Sequence, residues 1–240
     1  MSRSLRRWLL LALAAILLVI GGIEGAAYIA AHPQDVPWTR LDLDQPIGRF
    51  TGPKLAALGE DPRRCRALLA AGGVEDRPAA AIAAAPPCGY ADGMRLNRKT
   101  PYRPAGLVTA CPVAAALAVW ERDIVQPAAM RHFGQRVTAI DHAGSYSCRR
   151  IAGRGDGAYS EHSTADAIDI MGVRLADGRS VSVLRDWNGD PARGAFLRKV
   201  RDGACRLFST ALSPDYNRAH ADHLHFDQAS RGAWGGRLCN

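Results

Sequence analysis

Six cysteines stand singly along the 240 residues, and no two of them form a C-x-x-C pair. This spacing argues against a zinc ribbon and against a thioredoxin-like redox pair. An even number of separated cysteines predicts disulfide bonds, which persist in an oxidising compartment. Of the 15 possible pairings, local pairs are the expected ones: Cys65 with Cys88, Cys111 with Cys148, and Cys205 with Cys239.

Residues 1–31 predict how the chain reaches that compartment. Three arginines precede an uncharged apolar run over residues 8–23, and a second apolar stretch follows Glu24. A helix over residues 8–23 would measure roughly 24 Å and one reaching Ala31 about 36 Å, against a hydrocarbon core of about 30 Å. The segment is either a retained inner-membrane anchor, which its length favours, or a signal segment cut near Gly25 and Ala27. Either way, residues after about 32 are expected in the cell envelope, in the periplasm.

The chain is basic, with 31 Lys and Arg residues against 23 Asp and Glu residues and a net charge of +8. Such an excess alone fits a nucleic acid, an anionic membrane surface or an acidic polymer. Export removes most of the case for a nucleic acid, so no nucleic-acid partner is expected. The favoured partners are the inner membrane, through the N-terminal segment, and peptidoglycan. Nothing in the sequence indicates an oligomeric state.

Patterning beyond the N-terminal segment predicts two further parts. Residues 32–110 combine extended stretches with short helices and a loop rich in Ala and Pro, and residues 111–240 carry the longer periodic elements. A helix is predicted over 111–133 with a bend near Pro127. The strands predicted in the second part include 137–142, 146–151 and 223–226. Together these elements predict an α+β fold in which helices pack on a small antiparallel sheet.

Two short segments hold four of the seven histidines. The first runs from Ser160 to Asp169 and contains His162, and the second, HADHLH, ends at His225. Zinc prefers imidazole nitrogens and carboxylate oxygens at about 2.0–2.2 Å. In an extended strand His223 and His225 would point to the same face, whereas His162 and Asp169 would need a bend between them. We expect Zn²⁺ to be bound by His162, Asp169 and His225.

The pairing of S-x-H-x6-D with a downstream H-x-H resembles the superfamily of D-alanyl-D-alanine carboxypeptidases, lysostaphin-type endopeptidases and hedgehog domains. More narrowly, residues 36–239 resemble the bacterial extensin-like protein family, which is named for its C-terminal domain. The matching segments are PWTRLDL at 37–43, ACP at 110–112, GSYSCR at 144–149, the His162 segment, VRDGAC at 200–205, and PDYN at 214–217 running on to His225.

The superfamily resemblance implies a hedgehog-like or D-Ala-D-Ala-peptidase-like fold whose sheet bears a zinc site. The three zinc ligands of the superfamily match His162, Asp169 and His225. The sequence departs from the superfamily pattern at Ala165, which stands between the first two ligands where glycine is usual.

The same resemblance implies catalytic roles for four further residues. Asp222 takes the position of a glutamate that acts as general base, and His223 and His220 match the spacing of additional active-site histidines. Arg149 resembles an arginine that lies near the zinc and polarises the scissile carbonyl. Because Asp222 is one methylene shorter than glutamate, either Asp222 or His223 is the candidate for the base that activates water.

These residues lead to three expectations of function. The first is a zinc-dependent peptidoglycan peptide hydrolase of the D,D-carboxypeptidase or endopeptidase type. The alternative is a non-catalytic module that zinc stabilises and that binds the cell wall. The third is a metal-free structural protein.

Overall fold

Runs of helices and runs of short strands follow one another along the chain, which is the pattern of an α+β fold. The computed structural model describes residues 2–151, 157–232 and 236–240. The helices are α1 (Arg3–Ala31), α2 (Thr51–Ala56), α3 (Pro62–Ala71), α4 (Cys111–Trp120), α5 (Gln126–Phe133), α6 (Val183–Asp186) and α7 (Pro191–Ala204). The strands are β1 (Arg77–Pro78), β2 (Ile82–Ala83), β3 (Gly89–Tyr90), β4 (Met94–Arg95), β5 (Tyr102–Arg103), β6 (Val108–Thr109), β7 (Val137–Gly144), β8 (Ala167–Leu175), β9 (Ser180–Ser182), β10 (Thr210–Leu212), β11 (Leu224–Asp227) and β12 (Leu238–Cys239).

A seven-stranded sheet in the order β12-β10-β11-β8-β7-β5, with β9 paired to β8, forms the centre of the fold. Its inner pairs β10–β11, β11–β8 and β7–β8 are antiparallel. The outermost pairs, β10–β12 and β5–β7, are parallel. The α+β prediction is therefore confirmed, but the sheet is mixed because a two-residue parallel strand is added at each edge.

Helix α4 lies at the centre of the hydrophobic core. Nine of its ten residues are buried, as expected of a helix that is apolar on all sides. The indole N–H of Trp120 donates to the carbonyl of Val200 in α7 at 2.9 Å, and its ring lies edge-on to Phe226 of β11. The same core cluster includes Leu55 and Leu69 from the N-terminal part of the chain. The division of the chain near residue 110 stays a prediction.

The predicted helix over 111–133 is present, with a widened turn in place of a simple bend. A π-helical turn, Glu121–Val125, joins α4 to α5 immediately before Pro127. Such a turn is one of the identifiable causes of helix distortion, and proline, which lacks an N–H, is another. Gly134, in the left-handed conformation at φ 63°, ends the helix.

The predicted strand over 146–151 is wrong, whereas β7 and β11 confirm the neighbouring predictions over 137–142 and 223–226. Gly144, at φ 120°, ends β7. The backbone N–H of Ser147 then donates to the carbonyl of His162 instead of to a strand of the sheet. Residues 146–151 have strand propensity, but their backbone pairs with the loop that carries His162, because tertiary contacts override propensity.

The six cysteines form three disulfides, which confirms the prediction of cross-linking. The Cys205–Cys239 pair is as expected, but the other two predicted pairs are wrong. Cys65 of α3 is bonded to Cys111 at the start of α4, since these two helices pack together. Cys88 is consequently bonded to Cys148.

Helix α1 is long and apolar enough to cross a membrane, and none of its residues is buried. Its 29 residues correspond to about 43 Å. This helix fits a membrane anchor or a signal sequence, as predicted for residues 1–31.

Candidate metal centre

Two of the three predicted ligands lie opposite each other in the central sheet. Asp169 on β8 is the direct cross-strand partner of His225 on β11. Both residues are at least nine-tenths buried. The antiparallel pairing places their side chains on the same face of the sheet, and Oδ1 of Asp169 lies 3.0 Å from Nδ1 of His225.

The third predicted ligand, His162, enters from a 3₁₀ turn over Glu161–Thr164. The turn ends at Ala165, which adopts the left-handed conformation at φ 58°. This is the bend that His162 and Asp169 needed in order to face each other. It also explains why glycine suits this position, since a residue without a Cβ adopts positive φ at no steric cost. Ala165 is fully buried here and carries that cost.

The three ligand atoms converge on one point. Nε2 of His162 lies 3.2 Å from Oδ1 of Asp169 and 3.2 Å from Nδ1 of His225. A tetrahedral ion with bonds of about 2.0–2.1 Å separates its ligand atoms by about 3.3–3.4 Å. The spacing of this group therefore fits a small divalent cation, and the three ligand types are those that zinc prefers.

The outer nitrogens of both histidines are held by acceptors. Nδ1 of His162 donates to the carbonyl of Ser145 at 2.5 Å, because a carbonyl can only accept. Nε2 of His225 lies 3.0 Å from Oδ2 of Asp227 and donates to it. In their neutral forms both rings consequently turn a lone pair towards Asp169. An imidazole fixed in this way by a carbonyl or carboxylate is the common arrangement around protein metal ions.

The electrostatics of the site favour a positive species between these atoms. Burial would raise the pKa of Asp169, but hydrogen bonds from His162 and His225 hold it well below its usual value. Burial lowers the pKa of His225, yet its hydrogen bonds with Asp169 and Asp227 outweigh this and raise it to about 9. A bound cation would take the place of that proton, so metal binding here would release it.

The two predicted base candidates, Asp222 and His223, form a pair. Oδ1 of Asp222 accepts a hydrogen bond from Nδ1 of His223 at 2.8 Å, and Nε2 of His223 lies 3.4 Å from Oδ1 of Asp169. The ring of His223 therefore separates Asp222 from the ligand cluster. Asp222 is half exposed, whereas His223 faces the site.

His220 and Arg149 complete the predicted set. The His220 ring lies 5.1 Å from that of His223, and its Nδ1 donates to the side-chain oxygen of Asn217 at 2.8 Å. Burial, and then the neighbouring imidazoles and Arg149, lower the pKa of His220 to about 4, so it is neutral near pH 7. Arg149 is exposed, and its charge reaches the site from the rim.

Sequence reasoning missed Asp227. This buried carboxylate accepts from His225 and from the backbone N–H of Ala229 at 3.0 Å. The signal was present, because His223, His225 and Asp227 alternate along a strand and so share a face. Ser145 was also missed, and since it acts through its backbone carbonyl, no side-chain pattern would identify it.

A second carboxyl group is buried behind the site. Oδ1 of Asp166 is shielded from solvent and has no hydrogen-bond partner among the described residues. Burial, and then the neighbouring carboxyl groups of Glu161, Asp227 and Asp92, raise the pKa of Asp166 well above its usual value. Burial without a hydrogen-bond partner for Oδ1 thus disfavours the ionised form of the Asp166 carboxyl group.

Comparison with known families identifies the chain. The family described as extensin-like protein C-terminus matches residues 63–240. The chain belongs to this family. The matched range contains every residue named above at the candidate site. The N-terminal helix and residues 32–62 of this extensin-like protein lie outside it. No curated protein and no solved structure matches the chain.

Proposed function

We propose that this extensin-like protein is a zinc-dependent peptidase of the cell envelope that hydrolyses peptide bonds of peptidoglycan. The observation that carries the proposal is the convergence of His162, Asp169 and His225 on one point, with both imidazoles fixed from behind. The resemblance to D-alanyl-D-alanine carboxypeptidases, lysostaphin-type endopeptidases and hedgehog domains supports the same reading, including a related fold.

These three residues would hold the ion. When bound, zinc supplies Lewis-acid chemistry, because it acidifies water and polarises a carbonyl oxygen. His223 is then the general base. The hydrogen bond to Asp222 places its proton on Nδ1 and leaves the lone pair of Nε2 facing the site. Asp222 is a positioning residue in this arrangement, which removes the difficulty of its short side chain.

Hydrolysis adds water across the peptide bond, releasing a carboxylate and an amine. His223 takes a proton from the attacking water and returns it to the departing amine. Arg149, at the rim, supplies positive charge towards the oxygen that becomes negative. His220, held neutral by its surroundings, lines the cleft beside His223 and adds no positive charge next to the cation.

Compartment and charge point to peptidoglycan as the substrate. Three disulfides require an oxidising environment, and α1 fits an inner-membrane anchor or export signal. Residues 32–240 carry 28 basic against 22 acidic side chains, since three arginines and Glu24 precede them. This surplus of positive charge suits a polymer whose peptides bear carboxylates.

Digestion of purified murein sacculi tests the proposal. The wild-type chain should contain about one zinc ion and should release new peptide ends that mass spectrometry detects. His162→Ala should lose both the metal and the activity, whereas His132→Ala, a histidine on α5 outside the site, should keep both. Equal activity in the His162→Ala and wild-type proteins, or no new ends from either, would sink the proposal.

The deep burial of the ligands favours a second candidate, a zinc-stabilised module that binds the cell wall without cleaving it. His162 is 2% exposed and His225 is 8% exposed, as in a closed structural site. In this case sacculi retain the protein and stay intact, metal removal lowers the melting temperature, and Asp222→Ala has little effect on stability.

A further inference from the structure

Helix α1 passes into the folded domain without a free linker. The hydroxyl of Tyr28 near its end donates to Asp35 at 3.1 Å, and Asp35 also accepts from the backbone N–H of Arg49 at 2.7 Å. Between them, Gln34 is buried and its amide donates to the carbonyls of Arg40 and Asp42. The surface of the domain next to α1 therefore keeps a fixed place relative to the helix.

The length of α1 places that surface just outside the lipid headgroups. Ala31 lies seven residues, or about 10 Å, beyond Glu24. A bilayer of about 40–45 Å with a hydrocarbon core of about 30 Å has about 5–8 Å of headgroups on each side. If Glu24 marks the outer edge of the core, α1 ends about 2–5 Å beyond the headgroups, so the domain begins just outside them.

Three arginines gather on this surface. The end of α1 and residues 45–48 line one cavity. Arg206 donates to the carbonyl of Ile47 at 2.6 Å, within this lining, and Arg237 donates to the carbonyl of Cys205, beside Arg206. Arg49 follows the lining directly. All three side chains are exposed.

These three arginines lack close carboxylate partners among the residues described. Among the residues that the structure describes, Arg49, Arg206 and Arg237 form no salt bridge. Burial and the like charge of Arg206 lower the pKa of Arg237. The charge of Arg206 acts on the carboxylate of Asp35, which already accepts hydrogen bonds from the hydroxyl of Tyr28 and the backbone N–H of Arg49.

An exposed tryptophan stands beside the same surface. Trp38 is 77% exposed. Its neighbour Thr39 donates to the carbonyl of Val36 at 2.9 Å, and Lys54 bonds both to Thr39 and to the carbonyl of Pro33 just after α1. Tryptophan is enriched at the membrane–water interface, where an apolar ring with one polar N–H is best accommodated.

We propose that Arg49, Arg206 and Arg237, with Trp38 beside them, form a surface that binds the headgroups of anionic phospholipids around α1. Three arginines that form no salt bridge among the described residues, held just outside the headgroups, match the negative charge of such lipids. The proposal rests on the proposed anchoring by α1 and is independent of peptidase activity. Its effect is to fix the orientation of the domain on the membrane.

The test uses the full chain in lipid nanodiscs made of phosphatidylcholine alone or with about 30% phosphatidylglycerol, an anionic lipid. Both contain a lipid with a nitroxide quencher at its headgroup. The signal of Trp38 is obtained as the difference between the wild-type protein and Trp38→Phe. We expect quenching of Trp38 to be about twofold stronger with the anionic lipid, and about 0.5 M salt to remove the increase.

The triple variant Arg49→Gln, Arg206→Gln and Arg237→Gln should show no increase with phosphatidylglycerol. A matched variant that replaces Arg77, Arg131 and Arg136 with Gln loses the same charge elsewhere and should behave as the wild type. Equal quenching in both lipids, or the same loss in both triple variants, overturns the proposal. So does a triple variant that loses sacculus binding with its lipid quenching intact. A chain that leaves the discs contradicts the anchoring itself, and sacculus digestion remains a separate test of the peptidase.

Discussion

Asp169 and His225 face each other across two antiparallel strands, with 3.0 Å between Oδ1 of the first and Nδ1 of the second. The sheet itself sets this distance, because cross-strand partners have a fixed separation. A turn brings His162 to them. The carbonyl of His162 accepts from the backbone N–H of Ser147, and its Nδ1 donates to the carbonyl of Ser145. The site is thus arranged by the fold before any ligand arrives.

Asp227→Asn should weaken zinc binding by about 10–100-fold, because the amide can no longer hold Nε2–H of His225 as a carboxylate does. Competition against a fluorescent chelator measures the affinity. Asp215→Asn changes a carboxylate that bonds to Trp187 and should leave the affinity as it is. Similar losses in the two variants would show that Asp227 does not act through His225.

His223→Ala should lower kcat by about 100–10,000-fold while zinc content stays near one per chain, because the proposed base is lost and the proposed ligands remain. Asp222→Asn should have a smaller effect, since an amide oxygen still accepts from Nδ1 of His223. Turnover of a muropeptide and elemental analysis of the same samples separate the two effects. A larger loss from Asp222→Asn would make Asp222 the base.

Asp166→Asn should stabilise the metal-free protein at pH 7. A carboxyl group whose pKa is raised by folding contributes its full stability below its unfolded pKa of about 3.9, and the contribution is lost as pH rises through the folded pKa. Asparagine mimics the protonated form at every pH. The variant should be more stable than the wild type at pH 7, and the gain should shrink towards pH 4, where the carboxyl group binds its proton in the unfolded chain as well.

Thermal unfolding of both proteins in chelator at pH 4 and pH 7 checks this expectation. The variant should melt about 2–4 °C higher for each kcal/mol gained. A difference between the proteins that is the same at both pH values would show that folding does not raise the pKa of Asp166.

Replacing Cys88 and Cys148 together with serine should cost about 2–4 kcal/mol of stability and lower activity further than zinc content. Cys148 precedes Arg149, so this bond restrains the segment that carries the arginine. The matched change of Cys205 and Cys239 lies away from the cleft and should cost stability alone. The measurements are unfolding in denaturant, zinc per chain and kcat/KM, and equal kcat/KM in the two double variants would contradict the link to Arg149.

The sequence was sufficient where local geometry decides the outcome. Alternation along a strand places His223 and His225 on one face, and the need for a bend after His162 follows from its spacing to Asp169. Longer-range features could not be predicted in the same way. The bond between Cys65 and Cys111 depends on how two helices pack, and residues 146–151 lose their strand because their backbone bonds to the His162 loop. Zinc itself stays a prediction.

The two strands at the ends of the strand order, β5 and β12, are only two residues long. An exposed strand edge invites pairing with another chain, and short edges limit this risk. On one side the protection depends on chemistry, because Cys239 in β12 is tied to Cys205 while the strand covers β10. Reduction of the Cys205–Cys239 bond would release β12 and expose the edge of β10 to pairing with another chain. An oxidising compartment would therefore also protect the protein from aggregation.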